Sequence, residues 1–286
     1  MILLLLSILF STITVSFFKV FEIKKVDTFQ AIIANYLTCG IIGLFYSEHA
    51  VWSSEVLHSD WLGLAFLLGL LFISIFYCIA LTAQQISVSA SMVAAKLSVV
   101  VPVLLAWFLY QESLSALKIA GIFISLLAVY FISKKSGVGS NQKTLLWFLP
   151  ILVFIGSGSI DSILNYLEQH FIPPYSADEI VTSAFSFAFL TGLIWMAISI
   201  ALKKMKLSLK SLLWGVFLGV PNYFSMYFLV KTLGVFPATF IFPINNIGIV
   251  AFSTLLALLF FKEKLSKQNY IGLGLSILAI LLISLS

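Results

Sequence analysis

Lys96 places a charged side chain in the middle of a long apolar run. If that run crosses a bilayer, an ammonium group at its centre costs about 2.5–3.5 kcal/mol on insertion scales. The lysine is too far from either end of the run for its side chain to reach the interface easily. It should therefore face a hydrated cavity or a carboxylate partner. We interpret Lys96 as an anchor for a carboxylate or phosphate, with a structural ion pair as the alternative.

Asp161 is the acid that could form this ion pair with Lys96. Ser157, Asp161 and Asn165 recur at intervals of four residues, which places them on one face of a helix. A polar face on an otherwise apolar helix should turn toward the interior of a bundle, although the glycines in the same run would also favour close helix packing. Asp161 could exchange a proton and couple it to movement of a ligand. A standing pair with Lys96 would instead keep its carboxylate ionised, and the sequence leaves both readings open.

Proline and asparagine interrupt several of the apolar runs. The prolines are Pro102, Pro221 and Pro243, and the asparagines that follow the last two are Asn222, Asn245 and Asn246. A proline inside a helix removes one backbone donor and exposes a carbonyl, which an asparagine or a ligand can satisfy. The asparagines therefore predict either ligand contacts or hydrogen bonds between helices, and Pro102 is interpreted as a packing kink.

Three tyrosines are further candidates for ligand contacts. Tyr77 lies in one apolar run, and Tyr223 and Tyr227 lie four residues apart in another, so that these two share a helical face. Aromatic rings with a polar tip suit an amphipathic ligand. Ordinary packing is the alternative for each ring, because the chain contains 27 Phe and 10 Tyr.

No motif in the sequence predicts an enzyme. HExxH, GxSxG, paired acidic and Walker motifs are absent. His49, His58 and His170 lack metal-ligand spacing, and the two cysteines form neither a disulfide framework nor a metal motif. We therefore expect no catalytic residues, no metal, no cofactor and no nucleic-acid partner.

The composition predicts an integral membrane protein. Of 286 residues, 61% are hydrophobic and 9% are charged, whereas soluble domains have about 25% charged residues. Runs of roughly 20 apolar residues must form helices in lipid, where every backbone amide needs an internal partner. We predict an all-α protein with ten transmembrane helices. The predicted spans are 2–19, 28–46, 61–82, 87–109, 115–133, 144–166, 178–202, 210–230, 236–261 and 268–285.

Two halves of the chain repeat one another. Glu112, Gly121, Ser125, Ala128 and Ile132 recur without a gap at the positions Glu263, Gly272, Ser276, Ala279 and Ile283. This self-similarity predicts a first five-helix repeat over 1–135 and a second over 144–286. Because each repeat has an odd number of spans, the second should enter the membrane in the opposite orientation. The two glutamates precede the last helix of each repeat, where an acid stabilises a helix N-terminus.

The lysines predict the orientation in the membrane. Thirteen of the 16 lysines fall in odd-numbered loops, while the even-numbered loops hold mainly acids. The loop lysines are Lys19, Lys24, Lys25, Lys134, Lys135, Lys143, Lys203, Lys204, Lys206, Lys210, Lys262, Lys264 and Lys267. The positive-inside rule then places the odd loops in the cytoplasm and both termini outside. We expect a multi-pass protein of the cell (inner) membrane.

The chain resembles the drug/metabolite transporter superfamily, specifically its EamA-type members. The resemblance rests on ten short helices in two inverted repeats, and on the motifs around Pro102, Trp107–Glu112 with Gly121, and Phe260–Glu263 with Gly272. It implies an exporter or exchanger of small metabolites such as amino acids, with a cavity walled by helices 1, 3, 4, 6, 8 and 9.

Three functional hypotheses follow. The first is an exporter of an amino acid or a similar small polar or anionic metabolite, working by alternating access, with Lys96 holding the anionic group and protons as a possible coupling ion. The second is an exporter of cationic amphiphiles with Asp161 as the counter-charge. The third is a lipid-linked-sugar flippase of the same fold. Besides the substrate, membrane lipid is the only expected partner, and one chain carrying both repeats should suffice as a monomer.

Overall fold

The structure is a computed structural model, and it describes residues 1–47, 51–110, 115–133, 148–171, 175–233 and 238–284. Within these ranges the chain forms helices, turns and no strands. Glu112, Lys134, Lys135, Lys143 and His49 lie outside the described residues. The helices are α1 (Ile2–Lys24), α2 (Thr28–Tyr46), α3 (Ser54–Leu57), α4 (Leu62–Gln85), α5 (Val88–Leu97), α6 (Val100–Tyr110), α7 (Ala116–Ser133), α8 (Phe148–Phe171), α9 (Ala177–Ala201), α10 (Leu209–Leu233), α11 (Ala238–Leu259) and α12 (Lys267–Ser284).

The all-α prediction is confirmed for the described part of the chain. Eight helical segments there are long and apolar enough to cross a membrane, and two shorter apolar segments cover 116–132 and 244–259. Each of the ten predicted spans overlaps at least one of the described helices. The full set of ten crossings, and the inverted arrangement of the repeats, remain predictions.

Polar side chains cap the N-termini of α2, α5 and α9. Asp27 accepts a hydrogen bond from the backbone N–H of Gln30 at the start of α2 (3.1 Å), and Ser87 accepts one from Ala90 at the start of α5 (2.9 Å). Ser176 and Glu179 form a reciprocal capping box at the start of α9. These side chains satisfy backbone donors that the first turn of a helix leaves without partners.

Three lysines end helices in a backbone conformation that favours glycine. Lys25, Lys203 and Lys262 have φ angles of 52°, 56° and 51°. After α1, the N–H of Val26 donates to the Phe21 carbonyl (2.9 Å), which is the hydrogen bond of a Schellman motif. The left-handed conformation costs a side-chain-bearing residue about 1–2 kcal/mol. A cation near the helix C-terminus offsets part of that cost through its interaction with the helix dipole.

The chain divides into two compact units, and neither unit coincides with a sequence repeat. The first unit comprises Met1–Val20, Cys78–Ser159 and Phe224–Ser286, and the second comprises Phe21–Tyr77 and Ile160–Tyr223. The boundaries between the residue ranges of the two units fall within α1, α4, α8 and α10. Each unit therefore contains helices from both repeats.

In the first unit, helices that occupy the same place in the two repeats pack against each other. Helix α7 packs along α12, and α5 packs against α11. The first contact is reciprocal. A Cβ atom on Gly121 would lie 3.3 Å from the Ala279 oxygen, and a Cβ on Gly272 would lie 3.1 Å from the Ala128 oxygen. Because Gly121 aligns with Gly272 and Ala128 with Ala279, each glycine admits the backbone of the other's helix.

In the second unit, α2 and α9 form the corresponding pair. A Cβ on Gly43 would lie 2.9 Å from Thr182 Cγ2, so the glycine permits this close approach. Tyr36 donates its hydroxyl hydrogen bond to the Phe72 carbonyl of α4 (2.8 Å). A buried apolar cluster in the same unit consists of Val56, Trp61, Ala65, Leu68, Leu167, Ile180 and Ala184.

We predict that Gly272→Ala lowers the thermal unfolding temperature in detergent, because its Cβ would lie 2.8 Å from the Ile132 backbone nitrogen. An overpacked contact costs about 1–3 kcal/mol. Gly274→Ala is the matched control, since nothing lies within 4 Å of a Cβ at that position of the same helix. Equal unfolding temperatures for the two variants would contradict the close α7–α12 contact.

Candidate functional site

The predicted fourth span consists of two half-helices, α5 and α6, and not of one continuous helix. Pro102 has no N–H to donate to the Ser98 carbonyl four residues earlier. The N–H of Val101 donates to that carbonyl instead (2.8 Å), and the Ser98 hydroxyl donates to the Ala95 carbonyl (2.6 Å). Pro102 therefore causes a tight turn that ends α5, which is a larger effect than the packing kink predicted from the sequence.

Lys96 lies in the last turn of α5, directly before this interruption. Its side chain is half-buried. A cation in that position interacts favourably with the partial negative charge of the helix C-terminus. Gly158 of α8 packs against the same turn, since a Cβ there would lie 2.8 Å from the Ser98 oxygen. Lys96 is thus positioned by the interruption between α5 and α6. Gly158 allows α8 to pack closely against this interruption.

Glu263 stabilises the opposite end of α5. Its carboxylate accepts a hydrogen bond from the Val88 N–H (3.3 Å), next to the cap formed by Ser87. The sequence predicted that Glu263 would complement the N-terminus of the helix that follows it, and the hydrogen bond to Val88 adds a contact at the N-terminus of α5. The helix after Glu263, α12, is capped by Ser266 and Asn269, which exchange hydrogen bonds (2.9 and 3.2 Å). Half-helix α5 therefore has an acid at its N-terminus and a lysine at its C-terminus.

Asn245 of α11 lies near a serine that the sequence analysis did not single out. The Ser7 hydroxyl of α1 donates to the Ser225 carbonyl of α10 (2.8 Å) and lies 3.5 Å from Asn245 Oδ1. Ser7 and Asn245 are buried, and Asn246 is half-buried. This group joins three helices of the first unit through polar side chains and an exposed carbonyl.

Aromatic rings lie on the same helices α1 and α10. Phe10 packs on Phe224 and Phe228, with ring centroids 6.3 and 5.6 Å apart, and the Tyr227 ring lies 5.6 Å from Phe228. The Lys231 ammonium lies 5.5 Å from the centroid of Tyr227. Tyr227 therefore belongs to an aromatic cluster, defined by Phe10, Phe224, Tyr227 and Phe228, as well as to a cation–π contact.

Asn222 contacts two residues of α2 that the sequence analysis did not single out as site residues. Its amide nitrogen donates to Asn35 Oδ1 (3.1 Å) and lies 3.6 Å from Cys39 Sγ. Asn35 and Cys39 are completely buried, whereas Asn222 is half-buried. Asn35 is the single asparagine in the apolar second span, and this was the sequence signal that could have identified it as a candidate.

The two predicted tyrosines of the second unit also pack on aromatic rings. Tyr223 is buried, with its ring centroid 6.0 Å from that of Tyr46, and Tyr77 makes an edge contact with Phe29 at 5.6 Å.

The predicted site residues are divided between the two compact units. The first unit contains Lys96, Ser157, Tyr227, Asn245 and Asn246. The second contains Tyr77, Asp161, Asn165, Asn222 and Tyr223. Of the predicted polar face on α8, Ser157 is half-buried, and Asp161 and Asn165 are exposed. A substrate-binding role for these ten residues remains a prediction.

No group of three or more His, Cys, Asp and Glu side chains comes together as a possible metal site in the described ranges.

Comparison with known proteins identifies the family. The model of the EamA-like transporter family matches residues 1–134 and 145–285 as two repeats. This chain belongs to that family. The EamA-type resemblance found in the sequence is therefore confirmed, and with it membership of the drug/metabolite transporter superfamily. The family is one of transporters, not of enzymes.

A protein of Haemophilus influenzae described as uncharacterized is 27% identical over 284 residues, which cover 97% of this chain and 95% of that protein. A solved structure, described only as a crystal structure of a protein, matches with a TM-score of 0.59 at 16% identity. The match covers 99% of this chain and 96% of that one, and it supports the fold alone.

We predict that Pro102→Ala joins α5 and α6, because alanine restores a donor for the Ser98 carbonyl. Spin labels at the exposed positions Gln85 and Leu104, in a background without Cys39 and Cys78, should then report a narrower distance distribution. Pro150→Ala is the matched control, because a proline in the first turn of α8 breaks no helical hydrogen bond. An unchanged distribution in Pro102→Ala would contradict the explanation of the break.

Proposed function

We propose that this EamA-family transporter exports an amino acid or a similar small anionic metabolite, and that Lys96 binds the carboxylate of the substrate. The observation that carries the proposal is the position of Lys96, half-buried in the last turn of a half-helix that Pro102 interrupts. In transporters, discontinuous helices supply binding groups near the middle of the membrane.

The charge of Lys96, and not the dipole of α5, attracts a substrate anion, because the C-terminal end of a helix carries a partial negative charge. That partial charge contributes about 0.3–1 kcal/mol to the nearby ammonium of Lys96. A substrate carboxylate supplies a full charge, and a hydrogen bond to a charged group contributes about 1.5–3 kcal/mol. These magnitudes allow a carboxylate to bind at Lys96 and still dissociate.

We further propose that the two repeats are inserted with opposite orientations and alternate access to the substrate. The pairwise packing of α7 with α12, α5 with α11 and α2 with α9 supports this arrangement, because a twofold axis brings equivalent elements together. The reciprocal glycine contacts support it in the same way. Since both repeats are in one chain, a monomer would suffice.

Hydrogen bonds between loops support the proposed orientation. In the second unit, the Lys210 ammonium donates to the Lys24 carbonyl (2.7 Å), and Gln30 donates to the Lys206 carbonyl (2.9 Å). In the first unit, Lys19 donates to the Gln84 carbonyl (3.2 Å). Two segments that are basic in sequence thus meet at one end of the second unit, and Lys19 contacts the last turn of α4 in the first unit. We propose that these ends face the cytoplasm of a cell whose inner membrane holds the protein, with both termini outside.

We predict that Lys96→Gln raises the KM for carboxylate-bearing substrates at least tenfold in proteoliposome uptake, because a neutral amide loses the charge–charge attraction. A tenfold change corresponds to about 1.4 kcal/mol. Lys96→Arg keeps the charge and should retain most of the affinity.

Uptake of every accepted amino acid or organic anion at the wild-type rate by Lys96→Gln would refute the anchor. Uptake restricted to cationic amphiphiles, with loss in Asp161→Asn, would refute the proposed substrate class.

We predict opposite labelling of two introduced cysteines, Asp178→Cys and Lys203→Cys, in a background without Cys39 and Cys78. Both positions are exposed, one at the start of α9 and one beyond its end. A membrane-impermeant maleimide should label Asp178→Cys in intact cells, and Lys203→Cys only after permeabilisation. The reverse pattern would place the basic loops outside.

A further inference from the structure

Three polar side chains form a closed cluster where α2 packs on α10 inside the second unit. We call Asn35, Cys39 and Asn222 the amide cluster. Asn222 donates to Asn35 Oδ1 (3.1 Å), and the Cys39 thiol lies 3.5 Å from the Gly219 carbonyl and 3.9 Å from Asn35 Oδ1. The cluster is next to Pro221, which lies inside α10.

One donor in the amide cluster has no acceptor among the described residues. Asn35 is completely buried, and its amide nitrogen makes no hydrogen bond there. A buried donor without a partner costs folding free energy. If this side chain served only to hold two helices together, an unpaired donor would make the contact less stable without any benefit. The amide nitrogen therefore points to an acceptor that binds in another step of the protein's work.

The other repeat supplies an internal comparison for this interface. At the α2–α10 contact, a Cβ on Gly215 would lie 2.7 Å from Ala34 Cβ. At the α4–α9 contact, a Cβ on Gly69 would lie 2.6 Å from Phe187 Cβ. A glycine of α10 thus contacts α2 in the same way that a glycine of α4 contacts α9. The two contacts therefore occupy corresponding places in the two repeats.

The corresponding contact has no amide cluster. With Ala34 matched to Phe187 and Gly215 to Gly69, the positions of Asn35, Cys39 and Asn222 correspond to Ala188, Gly192 and Phe76. All three counterparts are apolar. The same helix packing is therefore achieved without polar side chains, and packing alone does not account for the amide cluster.

We propose that the amide cluster binds a neutral polar group of the transported solute, a carboxamide or a hydroxyl. The inference rests on the proposed function, since it assigns the cluster to the substrate. The solute's oxygen accepts from Asn35 Nδ2, and its N–H or O–H donates to Asn35 Oδ1, where it replaces the hydrogen bond from Asn222.

The chemistry of the cluster selects a neutral group. The groups that contact one another there are amides, a thiol and a peptide carbonyl, none of which carries a charge. Burying an ion without a counter-charge costs several kcal/mol, whereas a neutral amide or hydroxyl needs only matched hydrogen bonds. Pro221 gives α10 a point of weakness at which a bend can open the cluster through half-buried Asn222.

The test compares two nearly isosteric probes, L-asparagine and L-leucine, in proteoliposome uptake. The wild type should prefer asparagine, and Asn35→Leu should lower the ratio of the two kcat/KM values about tenfold, because the asparagine amide loses hydrogen bonds. Asn222→Leu, at a half-buried position, should lower the same ratio and serves if Asn35→Leu fails to fold.

Asn269→Leu is the control. That buried amide donates to the Ile132 carbonyl (3.0 Å) and joins α12 to α7 in the first unit. The variant should lower the unfolding temperature and leave the asparagine-to-leucine ratio unchanged.

Two results would overturn the proposal. One is a wild type that does not prefer asparagine. The other is an unchanged ratio in both cluster variants, which would mean that the cluster holds only water or serves only to join the two helices. In either case, leucine uptake that still depends on Lys96 would leave the proposed carboxylate anchor standing.

Discussion

Every peptide group within a bilayer must find its hydrogen-bond partner inside the protein, and this requirement governs each interruption of a helix in the structure. At the end of α5 the Ser98 carbonyl loses the donor that Pro102 cannot supply, and the N–H of Val101 replaces it. Pro221 likewise removes the donor for the Phe217 carbonyl, but α10 continues through it as one helix. Where the helix is interrupted, another group of the chain thus satisfies the backbone, and Lys96 lies directly before that interruption.

Positions that have a structural role are similar in the two repeats, whereas positions with unusual chemistry differ between them. Positions that hold helices together correspond between the repeats, as in the reciprocal contacts of Gly121 and Gly272. Positions with unusual chemistry do not correspond. Asn35 aligns with Ala188, and the position of Lys96 in the second repeat is occupied by an apolar residue, Ile247. Packing of equivalent helices requires matched shapes, and that requirement does not extend to Asn35 or to Lys96.

The candidate site was partly predictable from residue types. A lysine in an apolar run is costly enough to be noticed in the sequence alone, and so are asparagines beside prolines. Ser7, Asn35 and Phe10 were missed because one small polar or aromatic residue in an apolar helix resembles ordinary packing. Their significance depends on partners more than 180 residues away, as with Ser7 and Ser225. The contact of Glu263 with Val88 was missed for the same reason, since it is not local in sequence.

Hydropathy and charge are local properties, so the sequence by itself determined the helical class, the positions of most helices and the internal duplication. The tertiary structure decided which helices share a compact unit, because packing joins helices of both repeats and leaves neither repeat as a unit on its own. It also decided that Lys96 ends a helix and does not lie within one. That outcome depends on the turn at Ser98 and on the close approach of Gly158, which involve contacts between distant parts of the chain.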